Sequence, residues 1–179
     1  MQLTKTQTAL EAFKKFVIQQ ARTRLTKGKK NASRELYDSL KGVIGVGPNS
    51  IALDFEMEEY GIYQDKGVKG VGGVRRTTSK FNSKNNKGKM WKQKAKNSPF
   101  SFKQGNKPSV KHFKDWARMK GLNAFAVRES VYHQGIKPSL FFTKPFEQAF
   151  KKLPKELKDK FGLDIQDFLA FTLNQDRLR

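Results

Sequence analysis

Apolar residues near the N-terminus recur at the spacing of an amphipathic helix. Over residues 8–24 an apolar residue returns every three to four positions, with lysine, glutamine and arginine between. The apolar series is Ala9, Leu10, Phe13, Phe16, Val17, Ala21 and Leu25. Gly28, followed by basic residues, is predicted to end this helix. A shorter helix through Leu40 follows, for which Asn31 and Ser33 are alternative N-caps. Both helices are predicted to pack against a sheet.

The spacing of the apolar residues changes after Gly42, from the period of a helix to the alternation of a strand. Residues 43–46 are aliphatic or glycine, and in residues 51–57 large apolar side chains alternate with small or acidic ones. A Gly-Pro-Asn-Ser turn at residues 47–50 joins the two runs. This pattern predicts a β-hairpin whose second strand is half buried.

A short helix is predicted after the hairpin, over residues 58–66. Tyr60 and Tyr63 are three positions apart, so a helix places them on one face. Gly67 is predicted to stop this helix.

The character of the chain shifts between Lys66 and Lys107. This window holds thirteen Lys or Arg and no Asp or Glu, and Gly, Ser and Asn fill most of the rest. Its sparse apolar residues cannot bury enough surface to offset the entropy of ordering the segment. A loop of this length inside a compact domain is either functional or ordered by a partner. We interpret the segment as a projecting arm or extended insertion.

Helical periodicity returns at Ser109. One helix is predicted to be capped by Ser109 and ended by Gly121, and a second covers residues 123–134. The apolar side of the second helix consists of Ala124 or Phe125, Val127 and Val131.

The last part of the chain is predicted to complete the core. Ser139–Phe142 is short and apolar, which indicates an edge strand. Thr143 is the predicted cap of the next helix, which has a proline in its first turn and ends before Pro154. The buried stripe of that helix is Phe146, Ala149, Phe150 and Leu153. Two further short helices are predicted near residues 155–161 and 164–173.

These elements predict an α+β fold: a small antiparallel sheet packed by the N-terminal helix and C-terminal helices, with a long basic extended insertion. Residues 1–66 supply the N-terminal helix and hairpin, and residues 67–108 form the basic arm. Residues 109–153 complete the core, and residues 154–179 form a helical tail. At 179 residues the chain suits one domain with such an arm or tail.

Charge narrows the possible partners. The formal net charge is +21, and self-repulsion of this size is usually compensated by a polyanion or by acidic neighbours in an assembly. The chain has no cysteine, which excludes disulfides and thiolate metal sites. No apolar run approaches the roughly 18 residues of a membrane span, so no membrane partner is expected.

The basic arm is the main candidate binding site. Cations every two to five residues with interleaved aromatic rings are typical of a surface that follows phosphates and stacks on bases. A solvated linker, or a segment ordered by an acidic protein surface, explains the same composition. The candidate contacts are Lys69, Arg75, Arg76, Lys80, Lys84, Lys87, Lys89, Trp91, Lys92, Lys94 and Lys96.

No pattern in the chain indicates catalysis, a metal or a cofactor. The glycine-rich stretch at residues 67–74 lacks the spacing of a phosphate-binding loop. The acidic residues Glu56, Glu58, Glu59 and Asp65 match no metal-ligand pattern, which favours a solvated or intersubunit ion-pairing face. Ser130, Tyr132 and His133 make no nucleophile elbow, and His133 is interpreted as a cation at a helix end.

Two segments resemble a family of tail-completion and tail-component proteins from tailed bacteriophages. Residues 60–67 read Tyr-Gly-Ile-Tyr-Gln-Asp-Lys-Gly, which is similar to that family's Tyr-Ala-x-Tyr-Val-Glu-x-Gly helix. Residues 136–150 contain Lys-Pro-Ser-Leu-Phe-Phe-Thr-Lys-Pro-Phe, which resembles its closing Lys-Pro-x-x-Phe-x-x-Pro-Ala-Phe segment. Shorter matches at residues 98–100, 116–121 and 125–130 look like virion neck proteins of large tailed phages. The resemblance spans about residues 36–153, and the long basic insertion departs from compact members.

The resemblance implies a structural virion protein, assembled in the host cytoplasm, and not an enzyme. It implies a homo-oligomeric ring at the head–tail junction, sixfold or, next to a portal, twelvefold, in contact with portal, adaptor or tail proteins. A basic ring around packaged DNA agrees with the charge. The subunit-interface candidates are Tyr60, Tyr63, Asp65, Phe141 and Phe142. The alternative is a free, sequence-nonspecific nucleic-acid-binding protein that uses the same arm. A nuclease or other DNA-modifying enzyme is disfavoured because no carboxylate or histidine cluster is present.

Overall fold

The computed structural model describes residues 2–28, 33–46, 51–75 and 89–155. The chain divides into two compact units. Unit 1 consists of Met1–Asp65 and Leu140–Arg179, and unit 2 is Lys66–Ser139. The predicted α+β class is confirmed, since six helices accompany small antiparallel strand pairs in the described part of the chain.

Unit 1 contains three helices, a hairpin and most of a fourth helix. In chain order the elements are α1 (Gln2–Lys27), α2 (Glu35–Ser39), β1 (Lys41–Val46), β2 (Ile51–Glu56), α3 (Tyr60–Lys66, whose last residue begins unit 2) and α6 (Thr143–Lys152). The tail helices predicted beyond residue 155 lie outside the described residues.

The stripe predicted for the N-terminal helix forms the buried face of α1. Phe13, Val17 and Leu25 are at most 4% exposed, and Leu10 and Ala21 are also buried. Phe16 is only partly buried, and the Lys152 ammonium lies 4.7 Å from its ring centroid. The helix runs further in both directions than the apolar pattern alone indicates, from Gln2 to Lys27.

The predicted hairpin is confirmed. β1 and β2 pair in antiparallel register from Lys41 opposite Glu56 to Val46 opposite Ile51. Leu53 and Phe55 of β2 are each 5% exposed and join the core against α1, as the alternation predicts.

Ser33, one of the two proposed caps, does not cap α2. Its N-cap position is Arg34, at a φ of 61°, with no side-chain cap bond. The Ser33 hydroxyl donates to the Glu35 carboxylate instead, and Asn31 lies outside the described residues. The end of α2 is held by α1, because the Arg22 guanidinium donates to the carbonyls of Tyr37 at 3.1 Å and Leu40 at 3.0 Å.

Aromatic rings from three elements meet in the core of unit 1. Phe13 of α1 lies edge-on to Phe146 of α6, with ring centroids 5.2 Å apart. Phe55 of β2 lies 5.3 Å from Phe142. Phe150 and the other residues of the predicted α6 stripe are buried in the same cluster. Edge-to-face geometry adds to the burial energy of such rings.

The expected edge strand at Ser139–Phe142 does not form. This segment turns directly into α6, and Leu140 has a φ of 49°. The strand forms earlier, at Gly135–Ile136, because Pro138 cannot donate a ladder hydrogen bond beyond it. Thr143 is the first residue of α6 and not its cap.

Unit 2 is built from short strand pairs and two helices. Its elements are β3 (Val68–Lys69), β4 (Val74–Arg75), β5 (Lys89–Met90), a 3₁₀ turn (Val110–Phe113), α4 (Lys114–Met119), α5 (Ala124–Gln134) and β6 (Gly135–Ile136). β3 pairs with β6, and β4 pairs with β5, both antiparallel.

The predicted Ser109 cap is in place, and Asn123 caps α5. Ser109 accepts the backbone N–H of Lys111 at the start of the 3₁₀ turn. Asn123 accepts from Phe125 and Ala126 at the start of α5. Of the two alternatives for the apolar side of α5, Ala124 is half buried, whereas Phe125 is 62% exposed. The buried residue of α5 is Tyr132.

Candidate nucleic-acid interface

Positive charge is concentrated in unit 2. Its sequence contains 19 Lys and Arg against 2 Asp and Glu, which leaves 18 and 14 for unit 1. Both acidic side chains of unit 2 are matched by cations. Asp115 lies 3.9 Å from Arg118, and Glu129 lies 2.9 Å from Lys107 and 2.8 Å from Arg128. Unit 2 therefore carries most of the net positive charge of the chain.

Part of the predicted arm is packed within unit 2. Residues 67–75 and 89–108 belong to the compact unit, so these described parts of the segment do not project from it. Residues 76–88, which include the candidate contacts Arg76, Lys80, Lys84 and Lys87, lie outside the described residues. The side chains of Arg75 and Lys89 are likewise outside the description.

Three candidate lysines project from the segment that follows β5. Lys92, Lys94 and Lys96 are exposed, whereas Gln93 is half buried and Ala95 is 3% exposed. The burial of Gln93 and Ala95 fixes the segment to unit 2. We call the three exposed lysines the lysine row.

Gln93 fixes this segment to unit 2. Its amide nitrogen donates to the His133 carbonyl at 2.8 Å, and its amide oxygen accepts from the Gly70 N–H at 3.0 Å. The Lys94 N–H donates to the Gln134 carbonyl at 2.8 Å. The Gln93 side chain thus joins this segment to Gly70, directly after β3, and to His133, near the end of α5. Sequence reasoning missed Gln93, because a lone glutamine among lysines reads as solvated.

Trp91 is a candidate stacking group with one face occupied. Its ring lies parallel to the His133 ring, at an interplanar angle of 3° and a centroid distance of 5.4 Å. The backbone N–H of Trp91 donates to the Gly73 carbonyl at 3.0 Å. The Nδ1 atom of His133 lies 2.6 Å from the Gly72 carbonyl oxygen. His133 therefore anchors Trp91 by ring stacking.

The Ser98–Phe100 segment locks the other end of the lysine row. Ser98 is 4% exposed, and its hydroxyl donates to the Gly67 carbonyl at 2.7 Å. Lys69 donates its N–H to the Phe100 carbonyl at 2.8 Å. Gly67 has a φ of 75°, and a Cβ there would lie 2.5 Å from the Ile136 carbonyl oxygen. Only glycine fits at this junction.

A charged network joins α5 to the segment at residues 103–107. Hydrogen bonding from Lys107, followed by that from Arg128, lowers the pKa of Glu129 against the opposing effect of burial. The Tyr132 hydroxyl accepts the Gly105 N–H at 2.8 Å. These bonds hold residues 103–107 against α5.

The side chains of Ser130, Tyr132 and His133 hydrogen-bond to different partners. The Ser130 hydroxyl donates to Gln134 at 3.3 Å, and Tyr132 and His133 bond to separate backbone segments. Across the described residues, no three His, Asp or Glu side chains come together as a metal-binding group. No helix in that part of the chain is long and apolar enough to cross a membrane.

Asp65 was predicted at a subunit interface and is instead a buried clamp inside unit 1. It is 1% exposed, and its Oδ1 atom accepts the N–H groups of Phe142 at 2.8 Å and Thr143 at 3.2 Å. The Thr143 hydroxyl donates to its Oδ2 atom. The Asp65 carbonyl also accepts the Leu140 N–H at 3.0 Å. Asp65 thereby satisfies the first N–H groups of α6 from a distant part of the chain.

The prediction that Phe141 and Phe142 lie at a subunit interface is also wrong. They are 1% and 0% exposed in the core of unit 1, which leaves almost no surface for a partner subunit to contact. Tyr60 and Tyr63, by contrast, are 43% and 37% exposed. Partial burial raises the pKa of Tyr60, hydrogen bonds with Ser33 and Leu36 oppose this, and nearby Glu35 and Glu58 reinforce it.

Comparison with known proteins gave no match to a family model, a curated protein or a solved structure.

Proposed function

We propose that this chain is a structural protein of a tailed-bacteriophage virion. It forms a homo-oligomeric ring in the head-to-tail connector, neck or tail, continues the DNA channel and joins neighbouring tiers. The observation that carries the proposal is the separation of charge between the units, with 19 cationic and 2 acidic residues in unit 2. Such a unit attracts the phosphate backbone without reading bases.

The lysine row supports a channel-lining role. Lys92, Lys94 and Lys96 are exposed on a segment whose alternate residues are packed. Repetition of this row around a ring places positive charge at regular intervals along a channel. Contacts of this kind are indifferent to sequence, which suits DNA that must slide during packaging and ejection.

The motif matches support the same assignment. The Tyr60–Gly67 segment contains Asp65, which accepts the N–H groups of Phe142 and Thr143 in the second matching segment. The two segments that resemble phage tail-completion proteins are thus joined through the Asp65 clamp, whose residues all belong to unit 1. Portal, adaptor or tail proteins of the same virion are the proposed neighbours, and no catalytic role is proposed.

The test is the assembly state of the purified chain. Native mass spectrometry and electron microscopy of the chain, alone and with the portal protein of the same genome, are expected to show closed rings of six or twelve copies. A species that stays monomeric in both samples at every concentration overturns the proposal.

The second candidate is a free nucleic-acid-binding protein with no sequence preference. The same charge excess of unit 2 favours it. It predicts a small species that coats duplex DNA and forms no closed ring without it. Sedimentation of the chain with and without a short duplex separates the two proposals.

A further inference from the structure

Three large apolar side chains are exposed within seven residues, from the end of α4 to the first turn of α5. Met119, Leu122 and Phe125 have 53%, 52% and 62% of their surface exposed. In the described part of unit 2, Met90 is the only other large apolar side chain with comparable exposure. A cluster of this kind on a highly charged unit marks an interaction surface.

The turn is held in a defined shape. The Leu122 N–H donates to the Ala117 carbonyl at 2.8 Å, and the Asn123 side chain accepts the Phe125 N–H at 2.8 Å. The Arg128 guanidinium lies 5.6 Å from the centroid of the Phe125 ring. Because these contacts already fix the turn, little conformational entropy is lost when a partner binds it.

Two exposed cationic residues are the chain neighbours of Met119. Arg118 and Lys120 flank Met119 and are exposed, and the Arg118 side chain is 82% exposed despite its 3.9 Å contact with Asp115. We call Met119, Leu122, Phe125, Arg118 and Lys120 the basic corner.

Unit 1 carries a surface with the complementary composition. Tyr60 and Tyr63 are exposed on α3, and the exposed Glu58 and Glu59 immediately precede it. Glu35 of α2 is also exposed and is close enough to influence Tyr60 electrostatically. We call Tyr60, Tyr63, Glu35, Glu58 and Glu59 the acidic corner.

We propose that the basic corner of one subunit docks on the acidic corner of the next copy of this chain. The inference rests on the proposed ring and names the surfaces that build it. The complementary composition of the two corners indicates that the partner is a second copy of this chain. The aromatic rings of the acidic corner meet the apolar side chains of the basic corner. The glutamates of the acidic corner meet Arg118 and Lys120. Aromatic residues and arginine are the side chains that most often dominate such interfaces.

The pairing is head-to-tail. Two basic corners repel one another, as do two acidic corners, so a twofold arrangement of like surfaces is disfavoured. An interface between two different surfaces of the same chain repeats around an axis, and it closes into a ring when the rotation permits.

The first test removes one corner at a time. Phe125→Ser and the pair Tyr60→Ser with Tyr63→Ser are each expected to weaken self-association at least about tenfold, measured by analytical ultracentrifugation. Mixed together, the two variants are expected to form a 1:1 heterodimer and stop, because each retains one intact corner. Met90→Ser is the matched control for an exposed apolar residue of unit 2, and it should assemble like the wild type.

The second test exchanges the charges. A chain with Arg118→Glu and Lys120→Glu, and a chain with Glu58→Lys and Glu59→Lys, are each expected to stay monomeric. Their equimolar mixture should recover rings of alternating subunits, because every contact in it again joins opposite charges. Glu147→Lys, at an exposed position of α6, controls for the change in net charge. Circular dichroism should show that each variant melts like the wild type.

The outcomes separate the corner pairing from the ring itself. A wild-type chain that never assembles overturns both proposals. A wild-type ring that the corner variants also form, or a charge-exchanged mixture that stays monomeric, overturns the corner pairing and leaves the ring standing.

Discussion

Replacement of Asp65 by Ala is expected to destabilise unit 1 more than any other single carboxylate change. The substitution removes the acceptor for the N–H groups of Phe142 and Thr143 and for the Thr143 hydroxyl, all in an environment where Asp65 is 1% exposed. A hydrogen bond to a charged group contributes about 1.5–3 kcal/mol, and buried donors left without a partner add their desolvation cost. Because the three bonds share one carboxylate, they are not additive. We expect a loss of about 3–5 kcal/mol, a large part of a typical domain's stability.

Conservative variants separate the clamp from simple loss of packing. Asp65→Asn keeps one oxygen for the two backbone N–H groups, and its amide nitrogen faces a Thr143 hydroxyl that can rotate to accept. It should therefore cost less than Asp65→Ala. Thr143→Val removes only the hydroxyl bond and should cost about 1–2 kcal/mol, whereas Thr143→Ser should be close to neutral. Asp38→Ala, at an exposed position of α2, is the matched control and should change stability by less than about 0.5 kcal/mol.

The assay is urea denaturation at neutral pH, followed by circular dichroism and tryptophan fluorescence. Asp65→Ala and Thr143→Val in one chain should cost less than the sum of the two single changes, because both remove the same bond. A value for Asp65→Ala within about 1 kcal/mol of the wild type, or strict additivity of the pair, would refute the clamp.

Three further outcomes are expected. Gly67→Ala should lower the melting temperature of unit 2, measured by calorimetry, because a Cβ at a φ of 75° would meet the Ile136 carbonyl oxygen. Gly105→Ala is the control for the strain of a positive φ alone, because a Cβ there meets nothing within 4 Å. Glu129→Gln should be slightly less stable than the wild type at neutral pH. Because folding lowers the pKa of Glu129, this difference in stability should vanish as the pH falls from about 5 through the lowered pKa. A difference in stability that persists at about pH 2 would contradict an origin in the Glu129 charge. Replacement of Lys92, Lys94 and Lys96 by Gln should flatten the salt dependence of the duplex-binding affinity by about 0.9 of a decade per decade of salt for each phosphate that is no longer neutralised. The preference among competing duplexes should not change. A preference above about a hundredfold for one sequence would exclude binding through the DNA backbone alone.

The elements with a local pattern could be read from the sequence. The α1 stripe, the β1–β2 hairpin, the Ser109 cap and the α6 stripe each depend on residues within a few positions of one another, where the period of apolar side chains or one capping side chain decides the structure. The concentration of lysine in the middle of the chain is equally visible, because composition alone defines it.

The tertiary structure decided what distant residues do together. Asp65 reads as part of a surface acidic cluster, yet it bonds to Phe142, 77 positions away, and becomes the cap of α6. Gln93 bonds to His133 across 40 positions, which turns part of a lysine-rich segment into a packed edge of unit 2. Neither bond leaves a periodic trace in the chain, since a single polar side chain has no repeat to detect. Their partners are set only when the folded backbone brings unpaired N–H and C=O groups to them, because burial of such groups without a partner is too costly.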